Sequence, residues 1–165
     1  MTNRSTNQWT LMNAAGACDK IGQLAFVADR ASELHAAGLY EIVLLNAYLG
    51  KRWPNSPVSI VDLFDRADPD KLRSMGDPLP HADTITLYRG VSGIGSHKRA
   101  GGLSWTEHLD VAAWHALLNA FPCPAVFEMT IPTQNIAVAI GPEIIVLPKR
   151  HGQRIRMVHP TTWQP

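Results

Sequence analysis

The hydrophobic residues of this chain change their spacing midway, and that switch restricts the fold more than any other feature of the sequence. From Ala17 to about Gly50 they recur at helical intervals: Leu24, Val27, Ala28, Ala31 and Leu34, then Ile42, Leu45, Tyr48 and Leu49. This is the pattern of helices that each bury one face. Gly38 predicts a break between two helices, and Gly50 stands where a helix would stop. Lys51-Arg52-Trp53-Pro54-Asn55-Ser56-Pro57 reads as a loop. Ser59-Ile60-Val61-Asp62 carries a helix-start signature, with Asp in place of the usual Glu or Gln. Asp68-Pro69-Asp70 opens a further short helix ending near Gly76, and Asp77-Pro78-Leu79-Pro80 punctuates the chain.

Beyond that point the period becomes two. Thr84–Arg89 alternates and is rich in β-branched and aromatic residues, as a strand requires. Leu103–Thr106 reads as a short extended piece, and Asp110–Asn119 as one inserted helix. Ala125–Ile131, Ile136–Ile140, Glu143–Leu147 and Arg154–Val158 each read as strands. Helices followed by a meander of strands predict an α+β fold. We expect a single domain over 1–165, with a helical part at 1–80 and a β-rich part at 81–165, because the helical part alone is too small and plain to make a convincing separate unit.

Length and composition narrow the functional classes. A chain of 165 residues can bury about two thirds of its unfolded surface. Fifteen Lys and Arg against fourteen Asp and Glu leave a net charge of +1, which gives no general electrostatic reason to expect nucleic acid or a membrane surface as partner. The two cysteines, Cys18 and Cys123, lie far apart and have no paired spacing, so neither a disulfide framework nor a zinc knuckle is indicated. The N-terminal residues contain no continuous apolar run of signal-peptide type, and no stretch reaches the roughly 18 apolar residues of a membrane helix. A reducing cytoplasm, the cell's own or one into which the protein is delivered, is the expected setting.

Three pieces of the second half carry chemistry in combination: Leu87-Tyr88-Arg89-Gly90, Gly102-Leu103-Ser104-Trp105-Thr106 and Pro142-Glu143-Ile144-Ile145-Val146-Leu147-Pro148. An arginine at the end of a first strand, Ser-x-Thr on a second and a glutamate leading a later strand resemble the Arg-Ser-Glu class of mono-ADP-ribosyltransferases. Leu109–Ala116 resembles the helix that follows the serine motif in that family, and Val126–Pro132 a strand ending in proline. The resemblance covers roughly Ile85–Val158, slightly less than half of the chain.

The resemblance implies a mostly antiparallel split β-sheet of ADP-ribosyltransferase type, with residues 81–165 as an NAD-binding core. It implies that NAD is the substrate, that its nicotinamide–ribose bond is cleaved, and that ADP-ribose passes to a macromolecular acceptor, a protein before other classes. A toxin or phage effector acting on host machinery is the setting that analogy suggests. Arg89 would anchor the dinucleotide through its planar fork of donors, and Gly90 would let backbone approach the nicotinamide carboxamide. Glu143 would place negative charge beside the oxocarbenium-like ribose through the 2′-hydroxyl, as carboxylates do in glycosidases. Ser104 would orient Glu143 or the ribose, Thr106 would support it, and Trp105 or Trp114 would stack near the nicotinamide. Arginine-modifying members carry Glu-x-Glu; here the first of those positions is Gly141, which puts arginine as the acceptor in doubt.

Each residue also has a purely structural reading. Arg89 could form a surface ion pair, Ser104 and Thr106 could simply suit a strand, Trp114 could belong to the core, and Glu143 could be a solvated strand start. Lys98 and Arg99, within Val91–Gly102, could contact nucleotide or belong to a solvated loop. Two further functions stay open: an NAD glycohydrolase with water as acceptor, and a non-catalytic interaction module. Gly90–Gly95 lacks the glycine order of a dinucleotide fingerprint and the helix that must follow it. His97, His108 and His115 make no metal-binding pair, and Cys123, between two prolines, reads as incidental rather than nucleophilic.

Overall fold

The computed structural model describes residues 2–19, 22–49, 59–94, 100–118, 121–148 and 155–158, with residues 2–6 described in backbone only. The expected loop at 51–57, Gly50, the segment holding His97, Lys98 and Arg99, and Arg154 lie outside the described residues. Two compact units divide the chain, Met1–Met75 and Gly76–Pro165.

The first unit is helical: α1 (Thr2–Ala17), α2 (Gly22–Asp29), α3 (Ala31–Ala37), α4 (Tyr40–Tyr48), α5 (Ile60–Asp65) and α6 (Pro69–Ser74). Its ends are set by local chemistry. Gly38, at φ +71°, closes α3 in the left-handed conformation, and Leu39 N–H donates back to the Leu34 carbonyl at 2.9 Å, as a glycine C-terminal cap requires. The Ser59 hydroxyl accepts from Asp62 N–H at the start of α5. The Asp68 carboxylate accepts from Asp70 and Lys71 N–H, with Pro69 in the first turn of α6, so both expected helix starts are present.

Helix α1 was not expected from the sequence. Its described apolar stripe is narrow, with Leu11 and Ala15 buried, and Gln8 Nε2 donates to the Ala37 carbonyl at 2.7 Å, near the end of α3. On α4, Glu41 is fully buried. Its Oε1 accepts from Asp68 N–H at 3.0 Å, while Oε2 has no hydrogen-bond partner among the described residues. Beside it, the Tyr40 hydroxyl donates to the Leu63 carbonyl at 2.9 Å. Burial pushes the Tyr40 phenol above its ordinary pKa; Arg66 pulls it back and Glu41 adds to the rise.

The described residues of the second unit form six strands, one α-helix and a 3-10 turn (Thr133–Asn135): β1 (Thr84–Val91), β2 (Ser104–Trp105), α7 (Leu109–Leu117), β3 (Ala125–Pro132), β4 (Ile136–Ile140), β5 (Glu143–Val146) and β6 (Arg156–Val158). They form two antiparallel three-stranded sheets, ordered β1-β3-β6 and β2-β5-β4. Tyr88 and Thr106 join them: Tyr88 N–H donates to the Thr106 carbonyl at 2.7 Å, and Thr106 N–H donates to the Tyr88 carbonyl at 2.9 Å. The strands therefore run β6-β3-β1, then β2-β5-β4, hinged on one residue pair. This is the expected α+β architecture with helices first and antiparallel strands after.

Period-two alternation sorts the side chains of this unit. Leu87, Met129, Ile131, Ile136, Trp105, Ile144 and Val146 form one apolar core. On the other face, Val126 of β3 and Tyr88 of β1 pack with Ala112, Ala113 and Ala116 of α7. The small alanines let α7 lie close to the sheet, and Gly90 completes the approach. A Cβ on Gly90 would collide with the Ala112 carbonyl oxygen and come within 2.8 Å of Ala116 N. Gly90 is thus demanded by helix-on-strand packing, a reason distinct from the ligand contact expected from the sequence.

Gly90→Ala should therefore destabilise the protein by about 1–3 kcal/mol through overpacking, checked by urea unfolding against Gly101→Ala, where no atom lies within 4 Å of the added carbon. A second expectation concerns Tyr40. Its folded pKa is raised, so its stabilisation is complete below the unfolded value of about 10 and is lost as pH rises through the folded value. Urea unfolding at pH 9 and pH 11 should show that loss in wild type, and a smaller loss in Tyr40→Phe.

Candidate functional site

The sheets are hydrogen-bonded at Tyr88–Thr106, and a cleft of about 250 Å³ lies beside that pair. Its wall comes from four places in the second unit: Tyr88, Arg89 and Gly90 of β1, Ser104 to Thr106 on and after β2, Val111, Ala112 and His115 of α7, and Pro142 and Glu143 at the β4–β5 turn. Residues more than 50 positions apart in sequence thus share one concave surface.

Register explains why these side chains meet. Ser104 pairs with Ile145 and Trp105 with Ile144. Carried one residue further, that antiparallel register sets Thr106 across from Glu143. Alternation then puts Ser104, Thr106 and Glu143 on one face of β2 and β5, and Trp105 and Ile144 on the other. The second face is core, since Trp105 and Ile144 pack there with Leu87 and Val146. The first face borders the cleft.

Arg89 is held in place by backbone. Its Nη1 donates to the Ser104 carbonyl at 2.6 Å, so β1 and β2 are tied by a charged side chain one residue beyond the Tyr88–Thr106 pair. The guanidinium lies against Gly102, where any Cβ would run into it. A guanidinium carries five N–H donors in a fixed plane, and the Ser104 carbonyl fixes the orientation of that plane at the cleft. Arg89 is half-buried, as is Glu143, so both lie at the cleft rather than in the core. Thr106 is buried and its hydroxyl accepts from His108 N–H at 3.2 Å, which binds the end of β2 to the start of α7.

Glu143 begins β5, directly after a two-residue turn. Ile140 pairs with Glu143, leaving Gly141 and Pro142 as the loop, with Gly141 at φ +54°. Positive φ at the first loop position suits glycine and fits a type II′ hairpin. Glu143 thus borders the cleft from the first residue after the β4–β5 turn.

Of the residues expected from the sequence, Arg89, Gly90, Ser104, Trp105, Thr106 and Glu143 all border this cleft. Trp105 does so without offering its ring: the residue is 2% exposed and its Nε1 donates to the Gly102 carbonyl at 2.8 Å. Alternation turns the indole into the core, which corrects the expectation that it stacks on a ligand. Trp114 is not among the residues bordering the cleft. It is 56% exposed, so the alternative that placed it in the core does not hold either. Tyr88, Val111, Ala112, His115 and Pro142 were given no cleft role from the sequence. Val111 and His115 were legible in principle, since they stand four apart on α7, next to the alanine stripe that faces the sheet.

Gly102→Ala tests the seat of Arg89. The added carbon would meet the end of a flexible side chain, so the cost should be that of the lost charge-assisted hydrogen bond, about 1–3 kcal/mol of unfolding free energy. The guanidinium should leave the Ser104 carbonyl, and the NMR signal of Arg89 Nε–H should shift accordingly. No family model matches this chain, and no match to it is found among curated proteins or solved structures.

Proposed function

We propose that the second unit is an ADP-ribosyltransferase-type domain, its two hinged sheets forming the split sheet of that fold, and that the cleft takes the nicotinamide–ribose end of NAD. One observation carries the reading. Arg89, Ser104, Thr106 and Glu143 come from three separated motifs and converge on a single cleft, with a cation and a carboxylate at its wall. A volume of about 250 Å³ falls below that of sites enclosing whole drug-sized ligands. It suits one ring and one sugar, with the phosphates and adenosine extending outside.

In this reading Arg89, fixed by the Ser104 carbonyl, holds phosphate or ribose oxygens in the ground state. Glu143 accepts a hydrogen bond from the ribose 2′-hydroxyl. As the C–N bond breaks, its electron pair passes to the nicotinamide nitrogen and neutralises the pyridinium, so the leaving group needs no proton. Positive charge grows at C1′ and the ring oxygen, where the Glu143 carboxylate stabilises it more than it stabilises the ground state. The acceptor then bonds to C1′ and releases a proton. A protein side chain as acceptor gives an NAD-dependent mono-ADP-ribosyltransferase of the toxin or phage-effector kind; water gives an NAD glycohydrolase. Gly141, standing where arginine-modifying relatives of the resembled class have an acidic residue, supports an acceptor other than arginine.

A different observation favours the non-catalytic alternative. Trp114 and Leu117 on α7, Leu118 directly after it and Phe121 three residues further on are all exposed, and exposed apolar residues grouped together mark interaction surfaces. Nicotinamide release from NAD by the purified protein separates the two. Under the enzymatic reading, release occurs, and Glu143→Gln lowers kcat by about 100-fold or more while leaving NAD affinity largely intact. Arg89→Ala instead raises KM by about tenfold or more, because it removes a charge-assisted contact made in the ground state as well. Release that needs cell lysate indicates a transferase, and release without it a glycohydrolase. A folded protein that neither binds NAD nor releases nicotinamide would sink the proposal in favour of the interaction module.

A further inference from the structure

The turn that presents Glu143 is fixed from outside its own hairpin. In the strand order β2-β5-β4, β4 is the outer strand, and β5 pairs with its inner side. On the outer side Asp77 lies alongside. Its backbone N–H donates to the Ala139 carbonyl at 2.7 Å, and its Oδ2 accepts from Gly141 N–H at 2.6 Å. A carbonyl at one residue and an N–H two residues on point the same way from a strand, which is the pair a neighbouring strand would engage. Asp77 engages both alone, using its main chain for the first and its carboxylate for the second.

The approach is built into the sequence before it. A Cβ on Gly76 would collide with the Ala139 carbonyl oxygen and the Val138 side chain and come within 3.2 Å of Ala139 N, so only glycine lets this segment lie against β4. Pro78 follows Asp77 and limits the backbone of the residue before it. The 2.6 Å bond has a short, charge-assisted length, and it ends on Gly141, the left-handed residue two before Glu143.

We infer that Asp77 is a positioning residue: by clamping Gly141 N–H it fixes the hairpin turn from which Glu143 enters the cleft. The inference rests on the proposed role of Glu143. Asp77 is exposed and does not border the cleft, so it touches neither substrate nor reacting atoms. Without the clamp the Gly141–Pro142 turn samples other geometries, and the carboxylate spends less time where charge develops. Small misplacements of this kind are costly to rate while leaving ground-state binding almost unchanged.

The test compares Asp77→Ala with Asp77→Asn. The carboxamide oxygen of Asn can accept the same N–H, so it keeps the clamp and removes the charge. Asp77→Ala should lower kcat for nicotinamide release by about tenfold or more, with KM for NAD within about twofold of wild type. Asp77→Asn should recover most of that loss. Hydrogen exchange at Gly141 N–H, read by NMR, should speed up in Asp77→Ala and return towards wild type in Asp77→Asn. If Asp77→Ala does not fold, Asp77→Ser, whose hydroxyl is too short to hold the turn, takes its place. Unchanged kcat in the Ala variant overturns the inference, as does an Asn variant as impaired as Ala, since charge rather than geometry would then be acting. Unchanged Gly141 exchange shows that the clamp itself is absent, independently of any activity. An inactive wild type with normal Gly141 protection shows instead that the proposed function has failed, and the positioning role for that reaction fails with it.

Discussion

Two hydrogen bonds between Tyr88 and Thr106 determine most of what the second unit can do. They join β1 to the end of β2 through backbone, beside the apolar core that the two sheets share. The junction and the shared core hold the sides of the cleft in a fixed relation, and Arg89, next to Tyr88, reinforces it through the Ser104 carbonyl. The cleft and the residues bordering it follow from this constraint.

The remaining walls are held by packing. Helix α7 sits close enough to border the cleft because Ala112, Ala113 and Ala116 face the sheet and Gly90 has no side chain to obstruct it. The same closeness brings Val111 and His115 to the rim. Opposite, the β4–β5 turn is short and held through Gly141, and Glu143 follows at once. Polar side chains on rigid strands beside a small-residue helix make a preorganised surface, the arrangement electrostatic stabilisation needs.

Much of this was legible in the sequence because local chemistry decided it. The change from helical to alternating spacing separated the helices from the strands, Gly38 marked a helix end, and Ser59 and Asp68 marked two starts. Alternation along Leu103–Thr106 was available to put Ser104 and Thr106 on one face and Trp105 on the opposite one; its indole is core for that reason. Other features depend on tertiary context that no local pattern carries. Helix α1 buries too little apolar surface among its described residues to announce itself. The 27-residue separation of Glu41 and Asp68 and the 64-residue separation of Asp77 and Gly141 leave no periodic trace. Asp77 read only as loop punctuation, although its neighbours Gly76 and Pro78 are what allow it to reach β4.

The most direct test of the central claim is an NMR titration of isotope-labelled protein with NAD, which locates binding without requiring turnover. The expected result is saturable shifts confined to backbone signals of Tyr88–Gly90, Ser104–Thr106 and Ile144 beside Glu143, with nicotinamide mononucleotide reproducing the largest of them. Shifts centred in the helical unit, or none at millimolar NAD, would contradict the assignment of this cleft to the nicotinamide–ribose end of the dinucleotide.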